Sequence, residues 1–327
     1  MARKGATEVR DGISFSSLDE PIFDDAGATK RELIDYLDLM ADRMVAHLRD
    51  RLLSVIRVRP GQPAFMQKNL PQYAPDWIAT AAVWAEASKR DVTYALCNDR
   101  RTLLWFGNQR AIEYHPALTQ APEWDRPTHL ILDLDPPELE RPDPNAFDQV
   151  VRAARLVEQA LTELKLTGAA KTSGAKGLHI YVPLARAAIE DVAAATRAIA
   201  ARAERLDPTI ATTAFIKEDR EGKVFLDSTR AGGATIVAPY SPRVRPGLPV
   251  SFPVDWSELD TARPGDFTIR TAPGLLGDGD PWAERMPPPQ ELPADLVAEG
   301  HEIPIARVRA MHEGKRRKRA AAQQSEG

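Results

Sequence analysis

Two carboxylates end a short apolar segment at residues 129–137, which reads His-Leu-Ile-Leu-Asp-Leu-Asp-Pro-Pro. Side chains alternate faces along a strand, so Asp133 and Asp135 share one face and lie about 6–7 Å apart along the backbone. The two prolines end the strand, because proline cannot donate to the ladder. Two like charges this close repel unless a positive group lies between them, and a divalent metal ion is one such group. The alternative is a strand that runs into an acidic, solvated turn.

A third carboxylate, Asp227, ends the segment 223–227. Alternation places it on the face opposite Val224 and Leu226. If the two segments are neighbouring strands, all three carboxylates meet in one acidic cluster. Such a cluster is the ligand set of a two-metal phosphoryl-transfer site, in which the ions lie about 3.5–4 Å apart. The alternative is a strand-ending aspartate that begins a turn.

A loop of small residues at 172–177 precedes the apolar segment 178–182. The backbone N–H groups of such a loop can approach an anion closely, while Ser173 adds a hydroxyl and Lys176 a point charge for a phosphate. His179 follows on the next strand, on the face opposite its apolar neighbours. The spacing is not that of a Walker A motif, and the alternative is an ordinary turn.

Three further side chains could contact a nucleotide. Arg243 and Arg245 follow a predicted strand and could clamp phosphate oxygens, although solvated loop arginines are the alternative. His115 could bind a phosphate or a ribose hydroxyl, and a partly buried structural histidine is the alternative.

Composition narrows the class of protein. The chain has 327 residues, of which 43% are hydrophobic and 28% charged, as in an ordinary globular protein. Cys97 is the single cysteine, so no disulfide framework is expected and a reducing compartment is favoured. The charged N-terminus predicts no signal peptide, and no apolar run is long enough for a membrane span. The net charge is −4, but basic residues cluster at 51–59 and 315–319. The net charge therefore neither indicates nor excludes a nucleic-acid partner.

Hydrophobic periodicity predicts an α+β fold with a central mixed or antiparallel sheet flanked by helices. Thr29 is the predicted N-cap of the first helix, with Glu32 completing a capping box. The predicted helices cover 29–54, 77–88, 145–165 and 187–206, and the predicted strands cover 92–97, 102–106, 129–135, 178–182, 223–227 and 235–240.

Seven short motifs occur in one order along the chain. They are Gly-Ala-Thr-Lys at 27–30, Gln-Pro-Ala-Phe-Met-Gln-Lys-Asn at 62–69, Ala-Ile-Glu-Tyr-His-Pro at 111–116, Leu-Asp-Leu-Asp-Pro at 132–136, Thr-Ser-Gly-Ala-Lys-Gly-Leu-His at 172–179, Gly-Lys-Val-Phe-Leu-Asp at 222–227 and Ile-Val-Ala-Pro-Tyr-Ser at 236–241. Together they resemble the polymerase domain of bacterial ligase D and its stand-alone relatives, the bacterial primase-polymerases of the archaeo-eukaryotic primase superfamily. Several motifs in family order are far more specific than any single one.

The resemblance implies a primase-polymerase domain over 19–300, between a flexible arm at 1–18 and a basic, partly disordered tail at 301–327. It also implies template-directed nucleotidyl transfer at gaps and ends of DNA, with two ions of Mn²⁺ or Mg²⁺ and a preference for ribonucleotides. By position, Asp133, Asp135 and Asp227 are the catalytic, metal-binding residues; His115, Ser173, Lys176, His179 and Arg243 contact the nucleotide; and Lys30, Arg57, Phe65, Lys68 and Arg220 contact DNA.

The partners implied are gapped or broken duplex DNA, with or without a 5′-phosphate, nucleoside triphosphates, a DNA ligase and a Ku-like end-binding protein. The expected protein is a monomer in the bacterial cytoplasm, at the nucleoid, without a membrane partner. Because the chain ends before any ligase or nuclease domain, a stand-alone relative is expected rather than a ligase fragment.

The chain departs from the family pattern at three places. Glu20 stands where ligase D polymerase domains carry a lysine ten residues before the one that matches Lys30, which weakens or rebuilds a 5′-phosphate contact. Met66 stands where the family often has a second phenylalanine, and Ser228-Thr229 replaces Trp-Ser. Two other functions remain as alternatives: a metal-dependent phosphohydrolase, which would use the same acids, and a non-catalytic module that binds DNA ends, against which the three acids argue.

Overall fold

The computed structural model describes residues 8–85, 89–137, 145–231 and 234–305. The chain divides into two compact units. The first unit comprises residues 1–128, 169–176 and 233–286, and the second comprises 129–168, 177–232 and 287–327. Most of the predicted tail, with the basic run at 315–319, lies outside the described residues. Within the described ranges, every helix is too short or too polar to cross a bilayer.

The elements mix strands and helices throughout, which confirms the predicted α+β class. The strands are β1 (Glu8–Arg10), β2 (Ile13–Phe15), β3 (Leu53–Arg59), β4 (Gln62–Gln67), β5 (Thr80–Ala85), β6 (Arg90–Ala95), β7 (Ala111–Pro116), β8 (Thr119–Gln120), β9 (Glu123–Pro127), β10 (His129–Asp135), β11 (Ala169–Thr172), β12 (Leu178–Pro183), β13 (Ala211–Thr212), β14 (Val224–Asp227) and β15 (Pro253–Val254). The helices are α1 (Lys30–Leu39), α2 (Ala41–Leu48), α3 (Arg100–Asn108), α4 (Ala146–Glu163), α5 (Ile189–Leu206), α6 (Ala272–Leu276), α7 (Pro281–Arg285) and α8 (Ala294–Glu302), with short 3₁₀ turns at Lys217–Arg220, Trp256–Glu258 and Pro264–Asp266.

The sheet of the first unit has the order β4-β3-β6-β5, and β7 also pairs with β3. The register places Ile56 of β3 opposite Met66 of β4 and opposite Glu113 of β7. Ser54 lies opposite His115 in the same way. Because side chains alternate along each strand, Met66, Glu113 and His115 lie on one face of this sheet.

The sheet of the second unit contains β13, β14, β10 and β12 in that order. β13 runs parallel to β14, and the other two pairings are antiparallel. Leu130, Leu132 and Leu134 of β10 are fully buried, and α4 and α5 contact this strand. Burying each such side chain contributes about 1.5–3 kcal/mol, which fixes the leucine face inward and leaves Asp133 and Asp135 on the opposite face.

Several predicted elements are confirmed. The strand predicted at 129–135 is β10, and the predicted long helices are α4 and α5. Thr29 caps α1 with the reciprocal capping box to Glu32, although the helical stripe is divided into α1 and α2 at Met40.

Other predicted elements are wrong. The helix predicted at 77–88 is replaced over its middle by strand β5, whose residues pair with β6 along their whole length, so sheet pairing outweighs the helical preference of its alanines. The strand predicted at 102–106 is helix α3, because the Asp99 side chain accepts a hydrogen bond from the Thr102 N–H and so caps the helix. The segment 235–240 forms only a single bridge, from Thr235 to Ala117.

The flexible arm predicted at 1–18 is also wrong for the residues that the structure describes. β1 and β2 pair as a hairpin, and Phe15 and Leu18 are buried. Arg10 is ion-paired with Asp35 and Asp38 of α1. The buried side chains of Phe15 and Leu18 therefore hold this segment against the first unit, although most of its residues are polar. The predicted catalytic domain at 19–300 contains parts of both units, and its boundaries remain a prediction.

The contact between α8 and α5 gives a direct test of the second unit. A Cβ on Gly300 would clash with the backbone carbonyl group of Ala194. Helix propensity alone favours Gly300→Ala by about 1 kcal/mol, but a clash with backbone cannot be relieved by a side-chain rotation. We expect Gly300→Ala to lower the free energy of unfolding by about 1–3 kcal/mol in chemical denaturation. Gly265→Ala is the control, since its Cβ would meet nothing within 4 Å. Equal stability of the two variants would contradict this packing.

Candidate active site

The three predicted carboxylates come together at one end of the second unit's sheet. Asp133 of β10 lies directly opposite Asp227 of β14 in the antiparallel register, and Asp135 lies opposite Phe225. Residues paired in this way have Cα atoms about 4.5–5.5 Å apart, and all four side chains share one face. Asp133 and Asp227 are each 7% exposed, so their charges are largely removed from water.

Arg230 and His179 supply positive or proton-donating groups to this cluster. Arg230 Nη2 donates to Asp133 Oδ2 at 2.7 Å and lies 3.2 Å from Asp227 Oδ2. His179 Nε2 lies 3.2 Å from Asp133 Oδ1. His179, predicted as a nucleotide contact, thus also contacts an acid. Arg230 was not predicted; its only signal in the sequence is its position three residues after a strand-ending aspartate.

The acids differ in their electrostatic surroundings. Burial acts to raise the pKa of Asp133, but the charge and hydrogen bond of His179 and the Arg230 guanidinium outweigh it and hold that pKa well below its usual range. Asp135 behaves in the opposite way, since burial and the nearby charge of Asp133 raise its pKa to about 6. The charge of Asp135 is therefore less compensated by the protein than that of Asp133.

The chemistry of these donors fits divalent metal ions. Carboxylate oxygens are the ligands that Mg²⁺ and Mn²⁺ prefer, and the negative charge of three acids needs compensation. Over the described part of the chain, no group of three His, Cys, Asp or Glu side chains is already arranged around a metal position. Asp133 and Asp227 instead contact Arg230. Metal binding by the three acids stays a prediction.

The other predicted nucleotide contacts belong to the first unit. Arg243 donates from Nη1 to the backbone oxygen of Ser173, and its Nε lies 3.0 Å from Oε2 of Glu113. The Nε2 of His115 lies 2.9 Å from the same oxygen. Glu113 therefore connects His115 with Arg243, and it was missed from the sequence. Lys176 is exposed at the end of the loop.

The loop after β11 depends on a glycine. Gly174 has φ +69°, and a Cβ there would lie 2.8 Å from Cγ of Arg243 and 2.7 Å from the backbone nitrogen of Ser251. Only glycine accepts both this left-handed conformation and this close approach. The small residues of the predicted phosphate loop thus allow it to pack directly against Arg243.

Two of the predicted DNA contacts are turned inward. Lys30 is 3% exposed, and its Nζ donates to the backbone oxygen of Ser16 at 2.9 Å and to Oδ1 of Asn108 at 2.7 Å. Burial, assisted by the charge of Arg110, lowers the pKa of Lys30 to about 8. Arg57 is 6% exposed and donates to the backbone oxygen of Gln109. Both residues bind the protein itself here, and their DNA contacts remain predictions.

The remaining predicted DNA contacts are more accessible. Lys68 is exposed just after β4, and Phe65 is half-buried with the Arg59 guanidinium 4.8 Å from its ring centre. In the second unit, the Arg220 guanidinium lies 3.8 Å from the ring centre of Phe225. Phe225 shares the face of the acids, so Arg220 belongs to the surroundings of the acidic cluster.

Glu20 has a partner of its own. Its Oε2 lies 2.8 Å from Nη2 of Arg110, while the backbone oxygen of Glu20 accepts from the Lys30 N–H. The carboxylate that departs from the family pattern is therefore compensated by an arginine.

The role of Arg230 can be tested through stability. Arg230→Gln removes the positive group between two buried aspartates. We expect the metal-free variant to lose roughly 2 kcal/mol of unfolding free energy. This is less than the loss for a fully buried ion pair, because the Arg230 side chain is partly exposed. Added Mn²⁺ should then raise the melting temperature of this variant more than that of the wild type, because the ions no longer compete with the guanidinium. Arg202→Gln, which breaks an ion pair with Glu299, is the control. Equal Mn²⁺ shifts in both variants would contradict this role.

Comparisons with known proteins identify the family of the chain. The family model described as LigD, primase-polymerase domain, matches residues 29–282. The chain is 33% identical over 292 residues to the bifunctional non-homologous end joining protein LigD of Bacillus subtilis, covering 87% of this chain and 46% of that protein. It is 31% identical over 265 residues to the multifunctional non-homologous end joining DNA repair protein LigD of Mycobacterium tuberculosis, covering 76% and 33%. The chain thus spans less than half the length of these curated relatives.

A solved structure shows the same fold. The polymerase domain from Mycobacterium tuberculosis ligase D, in complex with DNA, matches with a TM-score of 0.75 and 29% identity, covering 84% of this chain and 97% of that one. The resemblance and the primase-polymerase fold expected from the motifs are confirmed. The chain belongs to the LigD primase-polymerase domain family, a family of DNA-directed nucleotidyltransferases.

Proposed function

We propose that the chain fills short gaps or extends ends in broken DNA by template-directed nucleotidyl transfer, using two divalent ions and preferring ribonucleotides. The observation that supports this most strongly is the register of β10 and β14, which pairs Asp133 with Asp227 on the face that carries Asp135. Three carboxylates at one point are what a two-metal phosphoryl-transfer centre requires. Manganese is the ion that the family resemblance favours.

When bound, the ions would activate a primer 3′-hydroxyl and stabilise the departing pyrophosphate. Asp133, Asp135 and Asp227 would hold them, because the strands fix the spacing of the carboxylates before substrate arrives. Arg230 limits the repulsion between the acids in the absence of ions. No covalent nucleophile is needed, and Cys97 takes no part, since burial removes it from solvent and raises its pKa.

The triphosphate would be held by the polar side chains predicted as nucleotide contacts. Lys176 offers an exposed point charge and Arg243 a planar guanidinium, which suit the β and γ phosphates. The Ser173 hydroxyl adds a further donor, and His115 would face the sugar. Placing positive charge against the leaving group lowers the barrier, because it stabilises charge that develops only in the transition state.

DNA would be bound mainly through its phosphates, with Lys68 and Arg220 as contacts and Phe65 as a stacking surface. The structural relative in complex with DNA supports DNA as the partner. A DNA ligase and a Ku-like end-binding protein are the proposed repair partners, and the bacterial cytoplasm at the nucleoid is the proposed location, with the protein acting as a monomer.

The acids give the decisive test of activity. We expect Asp133→Asn and Asp227→Asn each to reduce primer extension by at least roughly a hundredfold, because each removes a charged metal ligand. DNA binding in gel-shift assays should stay within a few-fold of wild type, because phosphate contacts lie elsewhere. Asp125→Asn, at an exposed carboxylate of β9, is the control. Full extension by either active-site variant would end the proposal.

The same assay separates the two alternative functions. A phosphohydrolase would release free phosphate from a nucleoside triphosphate with Mn²⁺ and give no templated product. A module that only binds DNA ends would shift DNA in gels and leave both primer and triphosphate unchanged.

Substrate preference follows from the sugar contact and from Glu20. On gapped DNA we expect ribonucleotides to be incorporated more efficiently than deoxyribonucleotides. We expect a 5′-phosphate in the gap to have little effect, because Glu20 repels it and already pairs with Arg110. Glu20→Lys should increase the advantage of the phosphorylated gap. A strong dependence on the 5′-phosphate in the wild type, unchanged in Glu20→Lys, would contradict this reading.

A further inference from the structure

Glu113 is a buried carboxylate that takes no part in the function proposed above. It is 4% exposed, on strand β7 two residues before His115. Its Oε1 accepts a hydrogen bond from the Val244 N–H at 2.9 Å. Its Oε2 lies 2.9 Å from the Nε2 of His115 and 3.0 Å from Nε of Arg243. All three of these partners are nitrogens, and each can carry a hydrogen.

The charges of this group follow from their surroundings. Burial acts to raise the pKa of Glu113, but the hydrogen bond from His115, the charge of Arg243 and the Val244 N–H lower it to about 2. Burial lowers the pKa of His115; Glu113 opposes this, while Arg243 and Lys171 add to it. At neutral pH the carboxylate is therefore ionised and the imidazole is neutral.

A neutral imidazole carries one proton, and the carboxylate decides which nitrogen has it. Nε2 faces Glu113 and must donate to it, so Nδ1 is left as a hydrogen-bond acceptor. An acceptor can bind a hydroxyl but not a phosphate oxygen, since a phosphate oxygen is itself an acceptor. The sequence left two ligands possible for His115, a phosphate and a ribose hydroxyl. The geometry favours the ribose hydroxyl.

Glu113 also fixes the arginine. The Arg243 guanidinium forms an ion pair with Glu113, with Nε 3.0 Å from Oε2, and its Nη1 donates to the backbone oxygen of Ser173. The adjacent Val244 N–H binds the other carboxylate oxygen, so both the side chain and the backbone of this loop are tied to β7. One carboxylate thus orients a sugar contact and a phosphate contact together.

We propose that Glu113 is a positioning residue for nucleotide binding, which fixes the His115 tautomer that accepts from a ribose hydroxyl and orients Arg243 toward phosphate. This inference rests on the proposed function, in which His115 and Arg243 contact the incoming nucleotide. Glu113 itself touches no substrate and acts only through these two side chains.

The tautomer can be measured without any reaction. In ¹⁵N-histidine-labelled protein, two-bond ¹H–¹⁵N spectra at pH 7 should show His115 protonated on Nε2 and bare on Nδ1, with the signal assigned by its loss in His115→Asn. Glu113→Gln should change this pattern, because the amide NH₂ can donate to Nε2 and move the ring proton to Nδ1. Glu299→Gln, at another glutamate paired with arginines, should leave it unchanged. A wild-type His115 protonated on Nδ1, or on both nitrogens, would overturn the proposal.

The functional consequence is measured by single-nucleotide extension. We expect Glu113→Gln to raise the KM for ribonucleoside triphosphates roughly tenfold or more, as the loss of charge-assisted contacts implies. The change in kcat should be smaller, and the preference over deoxyribonucleotides should fall. An unchanged KM and preference would overturn the inference, as would a fall in kcat alone.

The two levels of the proposal fail differently. If the wild type extends no primer, the proposed function fails, while the spectra still show whether Glu113 sets the tautomer. If thermal unfolding shows that the Glu113→Gln variant is not folded, the wild-type spectrum alone tests the predicted His115 tautomer, because that measurement needs no variant of Glu113.

Discussion

Antiparallel pairing of β10 with β14 forces two carboxylates, Asp133 and Asp227, to face each other at the end of a sheet. Two such charges about 5 Å apart repel by about 3 kcal/mol at an effective dielectric constant of 20. That is a large fraction of the roughly 5–15 kcal/mol that stabilises a typical domain. The fold tolerates the repulsion because Arg230 and His179 compensate it. The proposed metal ions would provide the same compensation, since the strand register is what brings the two negative charges together.

The position of each acid on its strand could be predicted because it depends on short-range rules. Strand alternation gives the face of each acid, and the prolines after Asp135 give the strand end. The observed β10 covers His129–Asp135 as predicted. What alternation cannot give is the pairing of distant strands, which here depends on burying Leu130, Leu132 and Leu134 under α4 and α5. The family motifs supplied the expectation that the segments meet.

The residues that compensate the buried charges could not be predicted, because local sequence rules do not show which distant segments meet. Arg230 and Glu113 act through partners far away in the chain, and nothing local distinguishes them from solvated charges. Lys30 was predicted as a DNA contact from its motif, whereas its ammonium here donates to Ser16 and Asn108, a burial that the motif did not indicate. Strand β5 and helix α3 were missed because alanines and short apolar runs suit either structure, and pairing with β6 or capping by Asp99 decides between them.

The most direct test of the central claim is anomalous diffraction from crystals of the protein soaked in Mn²⁺. We expect two peaks about 3.5–4 Å apart, coordinated by Asp133, Asp135 and Asp227, with Arg230 displaced from between the acids. Absence of manganese from these carboxylates at saturating concentration, with Arg230 still bound to Asp133, would contradict it.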